Sequence, residues 1–452
     1  MSVAETSTGA ERSRLPRALA PLARTQYRLL AMGLVLATFA DGIWTVGVVW
    51  QVIALGGGPG ALSAITTLAA IGMVVSTLFG GVLADRMSQR TILIALEVVK
   101  LVAIGGVGLL GVTGNLGVGA LAVVGLIGGI TTGIYYPAYS ALVPRVVPPA
   151  ELLAVNGFEG TLRPVIFQAA GPALAGGLIA MSAPPVAILG SAVASALSAV
   201  FYMRMRPVVV ERVTDDRHPV RRTVAEIAEG FGYMWRTPWL LATLLFALIL
   251  VMMTAGPLEV LVPFAIKDRA GGDAGSHAMV LAAFGVGGAL GSLYMASRPM
   301  PRRYLTIMFV VWGLSGLPLI AFAFADHVAM FVVAAFVMGI TFDAPMVLWG
   351  TLLQRRVPPA MLGRVSSLDF FVSVAFMPVS MAVAAPVAGA VGLTTTFLLA
   401  AVIPVPVAVI AYAAARLAHD EIAHPLRDTG ATSHEEVATG SDDEVGQLRD
   451  QR

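Results

Sequence analysis

Gly129-Ile130-Thr131, Leu142, Arg145, Val147-Pro148-Pro149-Ala150, Leu152 and Val155 recur 210 positions later, without a gap, as Gly339-Ile340-Thr341, Leu352, Arg355, Val357-Pro358-Pro359-Ala360, Leu362 and Val365. Eleven of the 27 positions from Gly129 to Val155 are identical, where roughly a tenth would match by chance in so biased a composition. The same shift pairs Gly81 and Leu83 with Gly291 and Leu293, and the carboxylate of Glu159 with that of Asp369. The chain therefore reads as an internal duplication.

What is duplicated follows from composition. Hydrophobic residues make up 57% and charged residues 12%, with a mean hydropathy of +0.82. A water-covered surface needs about a quarter charged residues, so lipid is the expected solvent. A bilayer core of about 30 Å needs roughly 20 apolar residues per helix. Such runs occur at Leu29–Leu55, Ala61–Ala84, Thr91–Val112, Val118–Val143, Leu162–Met181 and Pro185–Met203. After a polar stretch they resume at Trp239–Ile266, Ala278–Ala296, Leu305–Phe324, Val328–Leu353, Ser366–Ala390 and Thr394–Ala415. The expectation is an all-α polytopic membrane protein of twelve transmembrane helices. The duplication lays the second helix on the eighth, the fourth on the tenth and the fifth on the eleventh. Two six-helix halves related by a pseudo-twofold axis along the membrane normal hold a substrate site near the midplane.

The expected parts are an N-terminal tail (1–28), a first bundle (29–203), a linker (204–238), a second bundle (239–416) and a disordered tail (417–452) rich in Asp, Glu, Ser, Thr and Gly. In the linker, Thr223-Val224-Ala225-Glu226 reads as a capping box. It starts a helix whose Val224, Ile227, Phe231 and Met234 share one face, as in a helix lying on the membrane surface. Arginines mark one side: Arg12 to Arg28, Arg86, Arg90, Arg145, Arg204 to Arg236, Arg298 to Arg303, and Arg355 to Arg364. The opposite loops Gly56–Gly60, Thr113–Gly117 and Ser182–Pro184 carry no basic residue; Lys267 and Arg269 are the exception there. The positive-inside rule then predicts an inner-membrane protein with both termini cytoplasmic. The polar, arginine-bearing start does not read as a signal peptide.

With no cysteine, thiolate chemistry is excluded, and the six histidines show no ligand spacing, so neither metal nor cofactor is expected. No nucleophile–base arrangement, phosphate loop or nucleotide site appears, so the chain does not read as an enzyme, and no nucleic-acid partner is expected.

Gly81-Val82-Leu83-Ala84-Asp85-Arg86-Met87-Ser88-Gln89-Arg90 resembles the signature that joins helices 2 and 3 in major facilitator transporters. The resemblance extends over nearly the whole chain outside its tails and implies the major facilitator fold. It implies a conformational latch in which Asp85 faces the N-terminus of helix 11, where free N–H groups favour an anion. Gly81 would allow close helix approach, and Arg86 and Arg90 would bridge cytoplasmic groups. The second-half counterpart is degraded, with Met295 in place of the aspartate. Gly171-Pro172-Ala173-Leu174-Ala175-Gly176-Gly177 resembles the helix-5 signature of antiporters, with Ala175 where a glycine is expected. A proline kink with small packing residues explains the same stretch. Tyr136-Pro137-Ala138-Tyr139 to Asn156-Gly157 resembles the branch of macrolide and enterobactin exporters. The arginine that other drug:proton antiporter branches carry in helix 4 is missing: none occurs between Arg90 and Arg145.

Ionisable groups at bilayer depth need a reason, because each costs several kcal/mol. Asp41 lies about 18 Å into helix 1, and Asp343 lies at comparable depth in helix 10. The resemblance makes both helices cavity-lining, so both aspartates are proton-coupling candidates; a structural polar anchor is the alternative for each. Glu97 and Lys100 are spaced to neutralise each other. Glu159, Arg163, Glu259 and Asp369 are candidate gate or ion-pair groups. Trp44, Tyr135, Tyr136, Tyr139, Phe342, Trp349 and Phe370, with Trp50 and Phe371, are candidate cavity aromatics suited to an amphipathic ligand. The reading is a monomeric, proton-coupled exporter of small amphipathic molecules such as drugs, natural products or siderophores, in contact with membrane lipids. A lipid or lysophospholipid flippase of the same fold and a non-transporting membrane sensor remain alternatives.

Overall fold

The structure is a computed structural model that describes residues 21–148, 151–207 and 229–426. Every regular element among these residues is helical, and twelve helices are long and apolar enough to cross a membrane. In the first half they are α1 (Thr25–Ala54), α2 (Pro59–Arg86), α3 (Gln89–Val112), α4 (Val118–Val146), α5 (Ala154–Met181) and α6 (Pro184–Arg204). The second half holds α7 (Pro238–Ala270), α8 (Ala274–Ala296), α9 (Tyr304–Phe324), α10 (Val328–Arg356), α11 (Leu368–Val391) and α12 (Leu393–Ala414). A short α13 (Leu417–Ala423) follows.

Local chemistry sets many of the ends. Prolines open α2, α6 and α7 (Pro59, Pro184, Pro238), where a missing N–H costs nothing and φ is already helical. Inside α5 and α7 the backbone loosens into π turns at Ile166–Ala170 and Pro257–Leu261. Each ends two residues before a proline, Pro172 or Pro263, which cannot donate to the carbonyl four residues back.

The duplication is visible in the packing. The most closely packed helix pairs are α2 with α4 and α8 with α10, the same pair in each half. Their crossings use the repeated glycine: a Cβ on Gly129 would overlap the carbonyl oxygen of Ala69, and one on Gly339 would overlap that of Phe284. In lipid, helix association rests on close backbone contact rather than on hydrophobic exclusion, so glycine is needed there. The halves meet through α2 against α11 and α5 against α8. Ser63 donates to the Met381 carbonyl at 2.5 Å, and Gly176 packs on Ala274 and Gly275. Ser63, Met381 and Gly176 all lie in the halves of their helices remote from the arginine-bearing loops.

Several expectations need correction. Helix leads into α5 from Leu152, ten residues before the expected Leu162, because the stretch with Asn156, Glu159 and Thr161 that interrupts the apolar run is still helical. The eleventh is preceded by helix from Pro359, before the apolar run begins. The tail expected to be disordered from 417 begins instead with α13. Glu421 is buried there and accepts from the Thr306 N–H and hydroxyl, while Asp420 pairs with Arg356. Residues 427–452 lie outside the described residues, as does the capping box at 223–226. The linker enters the description as a helix over 229–236, with Met234 buried against α7 and α9 and Trp235 exposed.

Candidate functional site

The second half encloses a cavity of about 360 Å³ between α7, α8, α9, α10 and α11. Phe284, Trp312, Phe342 and Trp349 supply aromatic wall, and Glu259 and Asp369 are its two acidic groups. Aromatic walls with a few convergent polar groups are the usual composition of a small-molecule site. The Trp349 indole N–H donates to Asp369 at 3.1 Å and the Ser373 side chain hydrogen-bonds the same carboxylate. Glu259 lies in the π turn of α7, solvent-accessible, with no hydrogen-bond or ion-pair partner among the described residues. Trp312 donates from its indole N–H to the Phe342 carbonyl at 2.9 Å, fixing α9 to α10 beside the cavity.

The first half concentrates its charge in two networks. Lys100 on α3 places its ammonium 2.7 Å from Asp41 on α1 and 3.3 Å from Glu97 on its own helix. Glu97 is fully buried, and its second carboxylate oxygen has no hydrogen-bond partner. Nearer the arginine-bearing end, buried Glu159 accepts from Tyr27 at 3.1 Å, from Tyr139 at 2.6 Å and from Arg163 at 3.2 Å. The Arg163 guanidinium also stands 4.8 Å from the Tyr139 ring centre and 5.3 Å from that of Tyr136. Outside the spans, Arg24 binds Glu151 through two N–H donors at 2.8 and 2.9 Å. That guanidinium holds the Glu151 carboxyl below its ordinary range and ties the start of α1 to that of α5.

The sequence pattern of the Major Facilitator Superfamily matches residues 30–375. The chain belongs to this superfamily. It is thus a multi-pass membrane transporter rather than an enzyme. Curated relatives include the "Multidrug efflux pump Tap" of Mycobacterium tuberculosis, 26% identical over 82% of this chain and 88% of that protein. The "Macrolide efflux protein A" of Streptococcus pyogenes is 23% identical over 78% of this chain and 87% of its own length. An "Uncharacterized MFS-type transporter y4rN" of Sinorhizobium fredii is 29% identical over 54% of this chain; that match spans only 59% of the relative's length. Among solved structures, the nucleoside transporter NupG superposes with a TM-score of 0.64 at 14% identity, over 85% of this chain and 98% of its own. That likeness shows the fold.

Within the superfamily fold, the sequence candidates fall into separate groups. Phe342, Trp349, Asp369 and Glu259 meet at the cavity. Asp343 is not among the cavity-lining residues; it packs on Gly288 of α8, with no ion-pair partner among the described residues. Glu97 and Lys100 pair as their spacing suggests, and the Lys100–Asp41 contact between helices adds a third member to that pair. Tyr139 and Tyr135 are internal: Tyr139 is buried on Glu159, and Tyr135 shares a 2.8 Å hydroxyl contact with Tyr202. Trp44 and Trp50 pack against the core at the other end of the first half. Tyr136 and Phe370 are exposed and outside the cavity lining, as is Phe371, which is half-buried.

The helix-5 motif builds contacts. Gly171 meets Gly42 of α1, Pro172 is buried, and Gly176 meets α8. Of the latch, the side chains of Gly81, Asp85 and Arg86 lie outside the described residues. Arg90 is described and donates to the last carbonyls of α6, Tyr202 at 3.0 Å and Met203 at 2.6 Å. It caps that helix with positive charge. Sequence reasoning missed Thr254, Met346 and Ser373 in the cavity wall. The 210-residue shift offered a signal for two of them, setting Ser373 opposite Arg163 and Met346 opposite Tyr136.

Proposed function

We propose that the chain is a proton-coupled exporter of small amphipathic molecules, working by alternating access in the inner membrane with both termini cytoplasmic. The observation that carries the reading is the match to two proteins named as efflux pumps over roughly four-fifths of the chain. The one-sided arginines support the orientation. The aromatic cavity suits a lipophilic body. Asp41, bridged to Lys100, is the proton-coupling group of choice, and Asp343 the second. Asp85 acts as the latch that weights the two conformations.

The test is reconstitution in vesicles with an imposed pH gradient, following proton flux and movement of a fluorescent amphipathic dye. Gradient-driven dye movement with proton counterflow is the expected result. Movement of a labelled lysophospholipid without dye movement would make the chain a flippase. No flux of any kind, in protein that still binds the dye, would leave a sensor.

A further inference from the structure

We infer that the second-half cavity is a cation-binding site, built for the positively charged head of an organic ligand whose apolar body lies on the aromatic wall. The inference deepens the export reading and rests on it for the direction of movement, but not for binding.

The argument comes from comparing the halves at the 210-residue shift. Glu159 corresponds to Asp369, Tyr139 to Trp349, Tyr136 to Met346 and Arg163 to Ser373. In each half an aromatic donor on the fourth helix hydrogen-bonds the carboxylate on the fifth: Tyr139 to Glu159 at 2.6 Å, Trp349 to Asp369 at 3.1 Å. In the first half Arg163 completes the unit, 3.2 Å from the carboxylate and over two tyrosine rings. In the second half the position of that arginine holds Ser373, whose short side chain leaves space in the wall of the cavity.

The carboxylate is thus retained and its cation is not. Among the described residues no lysine, arginine or histidine lines the cavity, and the other ionisable group there is Glu259, a second acid without a partner. A carboxylate at this depth without counter-charge is costly, and each is expected to face a partner or a pathway. A ligand ammonium or phosphonium entering beside Asp369 takes the place that Arg163 fills in the first half. Trp349 and Phe342 offer ring faces to a cation and apolar area to its substituents. An anion would meet two acids and no donor of positive charge.

The probes are tetraphenylphosphonium, a permanent cation, and triphenylphosphine oxide, a neutral relative of similar bulk. Binding of each to the purified full chain in detergent micelles is measured by calorimetry, with thermal unfolding to verify folding. The full chain should bind the phosphonium at least tenfold more tightly than the oxide. Asp369→Asn should weaken phosphonium binding tenfold or more and change oxide binding less than twofold. Ser373→Arg, which copies the first half, should abolish phosphonium binding by filling the site from within.

Equal affinities for cation and neutral probe would overturn the inference, and this measurement needs no variant to fold. So would unchanged phosphonium affinity in folded Asp369→Asn or Ser373→Arg protein. Phosphonium bound at Asp369 but not moved across vesicles would leave the site standing and remove export. Export indifferent to Asp369 and Ser373 would do the reverse.

Discussion

Lys100 reaches from α3 to within 2.7 Å of Asp41 on α1, and so makes one ammonium serve two carboxylates. The three groups carry a net charge of −1 when all are ionised. Protonation of Asp41 leaves a neutral Lys100–Glu97 pair. The Asp41 side chain is 39% exposed while those of Lys100 and Glu97 are 6% and 0% exposed, so Asp41 is the accessible member of the three.

Substitutions in the triad would separate the coupling role proposed for Asp41 from a structural one. Asp41→Asn should fold, because Lys100 keeps Glu97, and should bind dye yet lose efflux driven by a pH gradient. Asp41→Glu should retain part of the activity. Lys100→Met strands two acids against each other and should cost on the order of 3–5 kcal/mol, as for other buried pairs broken on one side. Adding Glu97→Gln should restore much of that loss in thermal unfolding. Full gradient-driven efflux by Asp41→Asn would move the coupling role to Asp343.

The helices were legible because lipid imposes one simple rule, a run of about 20 apolar residues per crossing. The twofold relation was legible because glycines at the α2–α4 and α8–α10 crossings are held by backbone contact and leave identities such as Gly129 and Gly339. Side-chain partnership was less so. Spacing along a helix gave Glu97–Lys100 and Glu159–Arg163, which sit three and four residues apart. Asp41–Lys100 depends on how α1 and α3 are rotated about their axes, which apolar composition does not encode. The aromatics divided for the same reason: Tyr139 and Trp349 hold equivalent places, but Arg163 stands over the Tyr139 ring while Ser373 lines a cavity with Trp349.

Topology can be tested cleanly because the chain has no cysteine. Single cysteines at Gly58, Gly114 and Ser182 should react in intact cells with an impermeant maleimide. Cysteines at Ser88 and Val213 should react only after permeabilisation. Labelling of the second pair from outside would reverse the assigned orientation.

Close helix approach predicts steric sensitivity at the repeated glycine. Gly339→Leu drives a side chain into the Phe284 backbone, and overpacking of this kind costs about 1–3 kcal/mol or more. Gly350→Leu, on the same α10 with nothing near its Cβ position, should change the unfolding temperature little. Equal effects of the two substitutions would remove the tight crossing as their cause.

A pH dependence is expected at the start of α8. Asp273 caps that helix, its carboxylate accepting from the Ser276 N–H and hydroxyl, both at 2.9 Å. These hydrogen bonds, the backbone one first, favour the charged form and hold the Asp273 carboxyl below its ordinary range. A depressed folded-state value means the cap contributes fully above the unfolded-state value of about 3.9. The contribution fades as pH falls through the folded-state value. Asp273→Ala should therefore lower stability by about 1 kcal/mol at neutral pH, as other N-cap losses do. The difference from the parent should shrink as the pH drops below 4. Asp273→Asn keeps an acceptor for the Ser276 N–H and should recover most of the neutral-pH loss, with less dependence on pH. Thermal unfolding of the three proteins between pH 3.5 and 7.5 measures this, and a parent–alanine difference that grows on acidification would contradict the cap.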